Sequence, residues 1–301
     1  MIRMTTQVNI LQKLAACRAR VAASLYVAMM ATQVAAVSGA VAAEPAPEAP
    51  QTARQRAPYD LTGYWVAVVT TDWRMRMVVP GKGEYDGVPL NLAAKSFADA
   101  FDPAADEAAG TVCKAHGVGA VMRIPGRLHI TWQDDNTLKV EMDAGRQTRL
   151  LRFAPKQADL AAPPTLQGLS IASWELPSSV GFLAVGGDPP TRGFLSDNIG
   201  AGIFAPPSPP GSAKQGYGSI RVQTSRALPG YLRKNGLPYG AEMSMTEYWD
   251  LRIAPDGSQW LAISAELDDP QYLQSPYAFA PTFKREPDGK KWRPSDCSLR
   301  W

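Results

Sequence analysis

Residues 127–145 read RLHITWQDDNTLKVEMDAG. Leu128, Ile130 and Trp132 alternate with His129, Thr131 and Gln133. After the polar turn at 134–136, Leu138, Val140 and Met142 alternate with Lys139, Glu141 and Asp143. Successive side chains of a strand point to opposite faces, so this period of two, broken by a short turn, predicts a hairpin with one greasy and one wet side. Ala144-Gly145 supplies the next turn, and RQTRLLRF (146–153) runs back.

The pattern resumes on both sides. WRMRMVV (73–79) places Trp73, Met75, Met77 and Val79 opposite Arg74 and Arg76, which predicts a strand. Further strands are expected at 217–224, 241–253, 258–267 and 277–286. Helix is scarce. LNLAAKSFADAF (90–101) is one helix candidate, with Leu92, Phe97 and Phe101 near one face. DPAADEAAG (102–110) is another, opening on Asp-Pro and ending on Gly. A turn of helix is expected within 227–240. The predicted fold is all-β: an antiparallel meander of about eight to ten strands. It closes into a lipocalin-like barrel or stacks as two sheets, and closure is favoured because it removes exposed edges. A barrel of this size has room for a small ligand.

The chain reads as one domain behind a leader. Arg3, Lys13, Arg18 and Arg20 precede an uncharged run of about twenty residues that ends in small side chains, the pattern of an export signal cleaved after Ala43. A membrane anchor is the alternative for this run. Cys17 in LAAC does not make a lipobox, because the apolar run follows it. Residues 44–58 are Pro/Ala-rich and polar, a linker or disordered arm, and 59–301 form the β domain. Within it, 176–216 is rich in Gly, Pro and Ser, and reads as a lid or as a disordered excursion.

Four of the 31 basic residues and none of the 28 acidic ones lie in the first 43, leaving 27 against 28. A near-neutral mature chain gives no reason to expect nucleic acid or an anionic membrane as partner. Cys113 and Cys297 remain after cleavage. In an oxidising compartment, periplasmic or secreted, they read as one disulfide, with two separate buried thiols as the alternative.

DLTGYWV, CKAHGVGAVMRIPGRLHITWQDDNTLKVEMDAG, YLRKNGLPYGAEMSMTEYWD and DDPQYLQSPYAFAPTFKREPDG together resemble a family of uncharacterised exported bacterial proteins with a lipocalin-like outline. The resemblance spans nearly all of 60–297 apart from 176–216. It implies export and a single β domain, and it lends no activity and no catalytic residues.

Familiar catalytic signatures are absent: there is no G-x-S-x-G, H-E-x-x-H, C-x-x-C, P-loop or G-x-G-x-x-G. His116 and His129 are the only histidines, so a three-His zinc site within one chain is excluded. No cofactor is expected. His129 falls on a wet strand face, and His116 lies beside Cys113 in a Gly-rich loop.

The remaining signal is in MSMTEYWDL (243–251). Met243, Met245, Trp249 and Leu251 share one face, and Glu247 shares it with them. An inward carboxylate is costly unless it meets a cation, a donor or a ligand. Arg123, which also interrupts an apolar stretch, is the expected partner, with Tyr64 and Tyr248 as nearby hydroxyls. Such a pair is either structural glue or the polar anchor of an apolar pocket. Trp73, Met75, Met77, Trp132, Met243, Met245 and Trp249 are the expected walls, since Met and Trp suit varied apolar shapes, although a plain packed core has the same composition. The function this supports is an exported binding protein for a small apolar molecule. The alternative is a cofactor-free isomerase, dehydratase or hydrolase with Glu247 as general acid or base. A third option is an interaction protein that grips its partner through 176–216. Asp268 and Asp269 read as a turn after a strand.

Overall fold

The computed structural model describes residues 50–175 and 218–300. The expected leader, its cleavage site and the 176–216 insertion lie outside the described residues. Within 51–57, the arm is fixed against the domain. Ala53 is buried; its N–H donates to Asn136 Oδ1 (2.9 Å), and its carbonyl accepts from Trp174 Nε1 (2.9 Å).

Twelve strands are described: β1 (Gly63–Val68), β2 (Arg127–Asp134), β3 (Thr137–Met142), β4 (Gln147–Arg152), β5 (Leu169–Glu175), β6 (Ser219–Ser225), β7 (Gly230–Arg233), β8 (Leu237–Tyr239), β9 (Ser244–Ile253), β10 (Gln259–Asp268), β11 (Tyr277–Phe279) and β12 (Thr282–Glu286). Nine of them close a barrel in the order β10-β12-β1-β2-β3-β4-β5-β6-β9 and back to β10. β12 covers the first part of one side of β10, and β11 covers the rest. The all-β barrel is as expected, but it is mixed rather than purely antiparallel. β4 and β5 run parallel, as Leu151↔Ser170 and Arg152↔Ile171. A parallel neighbour needs a crossover, which residues 153–168 provide with a short helix (Gln157–Ala161).

The hairpins follow from their turns. At β2–β3, the Asp134 carboxylate accepts from Asn136 N (2.8 Å), an Asx turn. At β3–β4, Gly145 (φ 77°) and Arg146 (φ 49°) take left-handed conformations, as a tight hairpin turn requires. The strand parity read from 127–143 holds for Leu128, Ile130, Leu138, Val140 and Met142, which are buried, but Trp132 is only half-buried, and Asp143, expected on the wet side, is buried where its carboxylate accepts from Arg127 N (2.7 Å).

Two expected elements differ. Residues 73–79 do not form a strand. Trp73–Met77 is a single helical turn, α1, preceded by Asp72 in a left-handed conformation (φ 51°). Trp73 and Met77 are 63% and 51% exposed, and Arg76 points inward instead. An R-M-R-M alternation satisfies the strand test, but five residues are too few to distinguish period two from 3.6. Residues 227–240 hold the hairpin β7–β8 rather than a helical turn.

The two longer helices are where they were expected. α2 (Leu92–Ala100) is capped by Asn91, whose side chain accepts from Ala94 N. α3 (Pro103–Ala109) opens on Asp102-Pro103 and ends at Gly110 in a left-handed conformation. α2 buries its alanines, Ala94 and Ala98, rather than Leu92 and Phe97, which are exposed. Small side chains let the helix approach β8 closely.

The core has two main parts. One fills the barrel, with Trp65, Ile130, Leu138, Leu151, Ile220, Trp249 and Phe283 each almost wholly excluded from solvent. The other lies at the end where β9 begins and β10 finishes. There α2, β7 and β8 cover Met243, Met245, Leu267 and Tyr277.

Cys113 and Cys297 are joined in a disulfide. Cys113 belongs to the short 3₁₀ turn Val112–His116, so the bond ties the C-terminal tail to the segment below α3. Beside it His116 is buried, with Nδ1 unpartnered and its ring against Gly145, where any Cβ would collide with it. Burial first, and then the positive charge of Lys234, pushes His116 from 6.5 down to about 4. The unfolded chain therefore takes up a proton near pH 6.5 that the folded chain refuses until near pH 4. This contribution to stability is intact above pH 6.5 and is lost as pH falls toward 4, at up to about 1.4 kcal/mol per pH unit. Urea midpoints measured between pH 4 and 8 should fall more steeply for the native protein than for His116→Gln. Equal slopes would reject this account.

Candidate functional site

The carboxylate singled out by the sequence points inward. On β9, Met245, Glu247 and Trp249 are buried, while Ser244 and Tyr248 face outward. Its partner is Arg149 on β4, not Arg123. Arg149 Nη2 reaches Glu247 Oε2 at 2.6 Å and Nη1 reaches Oε1 at 3.1 Å, with both side chains fully buried. Arg149 Nη2 also lies 3.3 Å from both Ser170 Oγ and Thr224 Oγ1, which are 2.8 Å apart. Arg149, Ser170, Thr224 and Glu247 sit on four consecutive barrel strands, β4, β5, β6 and β9. They form a polar rung across the interior, and Val222 and Ala265 flank Glu247 in register. Every polar group there except Arg149 Nε has a partner within the rung. The rung is closed on itself, and sequence parity could have found it. Arg149 lies two residues before the buried Leu151, on the same face, as Glu247 lies two before Trp249.

The other residues proposed as pocket walls are dispersed. Met243 and Met245 belong to the end cluster and Trp249 to the barrel core, while Trp132 is half-buried beside Phe153. Tyr64 stacks on His129 outside the barrel (ring centres 4.3 Å apart), and His129 Nδ1 lies 3.1 Å from Glu141. Tyr248 is over a third exposed. Asp269 is buried as a loop brace, accepting from Gly240 N (2.7 Å) and Gln271 N (2.9 Å), which agrees with a turn.

Arg123 stands elsewhere, in a centre built around α1. It follows Val121 in the 3₁₀ turn Val121–Arg123 and is 6% exposed. Its Nη2 pairs with Asp72 (3.0 Å) and its Nη1 donates to Leu232 O (3.3 Å). Its guanidinium lies over the rings of Tyr277 and Phe279, at 5.4 and 5.6 Å. Arg76, 4% exposed, donates from Nε to Arg123 O (2.8 Å). The two arginines border a cleft of about 370 Å³, whose other walls include Phe279, Pro281, Ala278 and Ala280. Asp72 is the only carboxylate among its described lining residues, and Arg123 already holds it.

The cationic charge continues inward. A small cavity of about 20 Å³ is bordered by Arg76, Arg123, Arg233, Lys234 and Met75. Burial, reinforced by the charge of Arg123, pushes Arg76 down to about 10. Burial alone pushes Lys234 down to about 8, and Arg123 is also lowered by burial, with Arg233 adding to the shift. Arg76 and Lys234 therefore remain cations near neutral pH. Lys234 Nζ donates to Arg300 O (2.8 Å). By contrast, Arg76 Nη2 and all three guanidinium nitrogens of Arg233 are buried with no acceptor.

Burying a cation without a partner costs several kcal/mol, so such groups are paired in a working state. Arg76 and Arg233, short of acceptors beside two hollows that share Arg76 and Arg123 in their walls, suit an anion. Sequence reading missed Arg76 because it assigned that residue to the wet face of a strand. It missed Arg233 because residues 227–240 carried no clear period. Comparison with known proteins finds no matching family model, no matching curated protein and no matching solved structure, so the site is read from its own geometry.

Proposed function

We propose that the protein is an exported binding protein for a small molecule with an apolar body and an anionic head, seated in the Arg76–Arg123 cleft. The observation that carries this reading is Arg76 Nη2, buried beside the cleft with no acceptor. Phe279, Pro281 and the alanines supply apolar walls, and the two guanidinium groups supply the polar anchor, a division typical of small-ligand sites. The apolar ligand expected from the sequence thus acquires a charge, and its pocket moves from the barrel interior to the flank of β10 and β11. Glu247 is not among the residues bordering the cleft, so the acid–base alternative gains no support from it.

Placement in the periplasm or outside the cell is supported by the disulfide and by the leader pattern. No helix among the described residues is long and apolar enough to cross a membrane.

Native mass spectrometry of protein purified from its own periplasm should show a bound acid that leaves on unfolding. In calorimetric titration with octanoate as a probe, Arg76→Met should weaken binding about tenfold to a hundredfold, the loss of one charged hydrogen bond. Unchanged affinity in that variant would remove the cleft as the site.

A further inference from the structure

The cleft lies where the barrel wall stops short. β1 and β12 pair from Tyr64↔Glu286 to Val68↔Thr282. Continued unbroken, that register would set Thr71 opposite Phe279 and Asp72 opposite Ala278. Instead β1 ends at Val68, and the chain turns into α1 through the left-handed Asp72. Two buried arginines hold the departing chain: Arg123 Nη2 pairs with Asp72 (3.0 Å), and Arg76 Nη1 lies 3.5 Å from Thr71 O. Thr71, Asp72, Ala278, Phe279, Ala280 and Pro281 all border the cleft of about 370 Å³, which therefore occupies the place of the missing pairs.

β11 is left as an edge. Among the described strands it pairs with β10 alone. Alternate residues of an antiparallel strand turn their N–H and C=O groups to opposite neighbours, so one set serves β10 and the other set meets the cleft. The outer surface beside this edge is low, because Ala278, Ala280 and Ser264 are exposed and small. A row of donors and acceptors that repeats along a strand at about 3.3 Å per residue is matched by a second polypeptide backbone. β11 has three residues, which limits the pairing to about 10 Å of partner. The cleft is at the low end of the roughly 300–1,000 Å³ of small-ligand sites, so the partner's side chains must be small. Its described charged lining is two arginines against one aspartate, which favours an anionic end on the partner.

Building on the cleft as the ligand's site, we propose that the ligand is a short extended peptide that adds to β11 as a further strand. It carries small apolar side chains, and its terminal carboxylate is the anionic head on the Arg76–Arg123 side. Backbone pairing supplies affinity, and the shallow ledge of alanines selects against bulk.

The test is calorimetric titration of the full native chain with acetyl-Ala-Val-Ala, its C-terminal amide, its two forms N-methylated at Val or at the last Ala, and octanoate. The free-carboxylate peptide should displace octanoate and bind about tenfold more tightly, the gain from one or two backbone hydrogen bonds. Neighbouring amides of a strand point to opposite sides, so N-methylation at one of the two positions should cost about tenfold and at the other almost nothing. Amidation of the carboxylate should also cost about tenfold. No chemical change to the protein is involved, so loss of folding cannot imitate these results. Octanoate binding without peptide binding, or equal effects of the two N-methyl groups, overturns the added strand and leaves the cleft standing. Peptide binding that octanoate does not compete with places the peptide elsewhere and overturns the proposal too. A concentration-dependent dimer that no peptide disperses overturns it in favour of a second copy on this edge. Binding of none of the probes overturns both the added strand and the cleft.

Discussion

Arg149→Met should lower the free energy of unfolding by about 3–5 kcal/mol, the cost of stranding one member of a buried ion pair. The substitution keeps most of the side-chain volume. It leaves Glu247 fully buried with its two guanidinium donors gone, and it removes the donor that bridges Ser170 and Thr224. Packing around the rung offers no route for water, because Trp65, Ile220 and Trp249 are sealed in the same cluster. The carboxyl must then hold a proton or open the barrel, and either is unfavourable. A second substitution, Glu247→Met, should recover most of the loss, since a hydrophobic replacement of both partners removes two desolvation costs together. Urea unfolding of both single variants and the double variant measures this directly. A loss below about 1 kcal/mol in Arg149→Met, or a double variant as unstable as the sum of the singles, would contradict a pair whose members depend on each other.

The disulfide should matter as much, for a different reason. Cys113 and Cys297 are 184 residues apart in sequence. On the chain-entropy account, closing a loop of that length is worth roughly 4–5 kcal/mol, because the oxidised unfolded chain has fewer conformations to gain. Replacing both cysteines with serine, or unfolding in the presence of a reductant, should lower the urea midpoint accordingly. The tail should also loosen. At the β3–β4 corner the tail is otherwise held by the Ser295 N–H donating to Asp143 O (2.9 Å) and the exposed Arg146–Asp296 pair, and beyond Cys297 by buried Leu299 and the Arg300–Glu107 pair. Limited proteolysis of reduced protein should therefore cut first within 287–300. A midpoint that does not move with reductant, or first cuts elsewhere, would mean that the bond adds little to packing already sufficient.

Much of the barrel was legible because one rule, alternation, reports directly on burial. Leu128, Ile130, Val140, Met245 and Trp249 obey it, and Glu247 stood out as its one inward acid. The same rule marks Arg149, whereas Arg123, the partner expected from the sequence, interrupts an apolar run in a 3₁₀ turn where period two carries no meaning. Parity also misled at 73–79, where one helical turn turns Arg76 inward and leaves Trp73 outside. The parallel pairing of β4 with β5 left no local trace, because register between distant segments is decided by the assembled sheet and not by either strand. The arginine centre was unreadable for a related reason. Arg76, Arg123 and Arg233 come from a helical turn, a 3₁₀ turn and a hairpin, and only the tertiary fold brings them together.

The seam of the barrel lies where its opening strand meets its closing one: Tyr64 opposite Glu286 through Val68 opposite Thr282. A chain made amino end first presents β1 long before β12 exists. β2 follows within about sixty residues and can dock on one flank, but the other flank stays bare until almost the whole polypeptide has emerged. Such a late, distant pairing makes cylinder completion a slow event. An unpaired rim waiting that long is the point at which two half-emerged copies would zip together, and where a holding chaperone would be needed most.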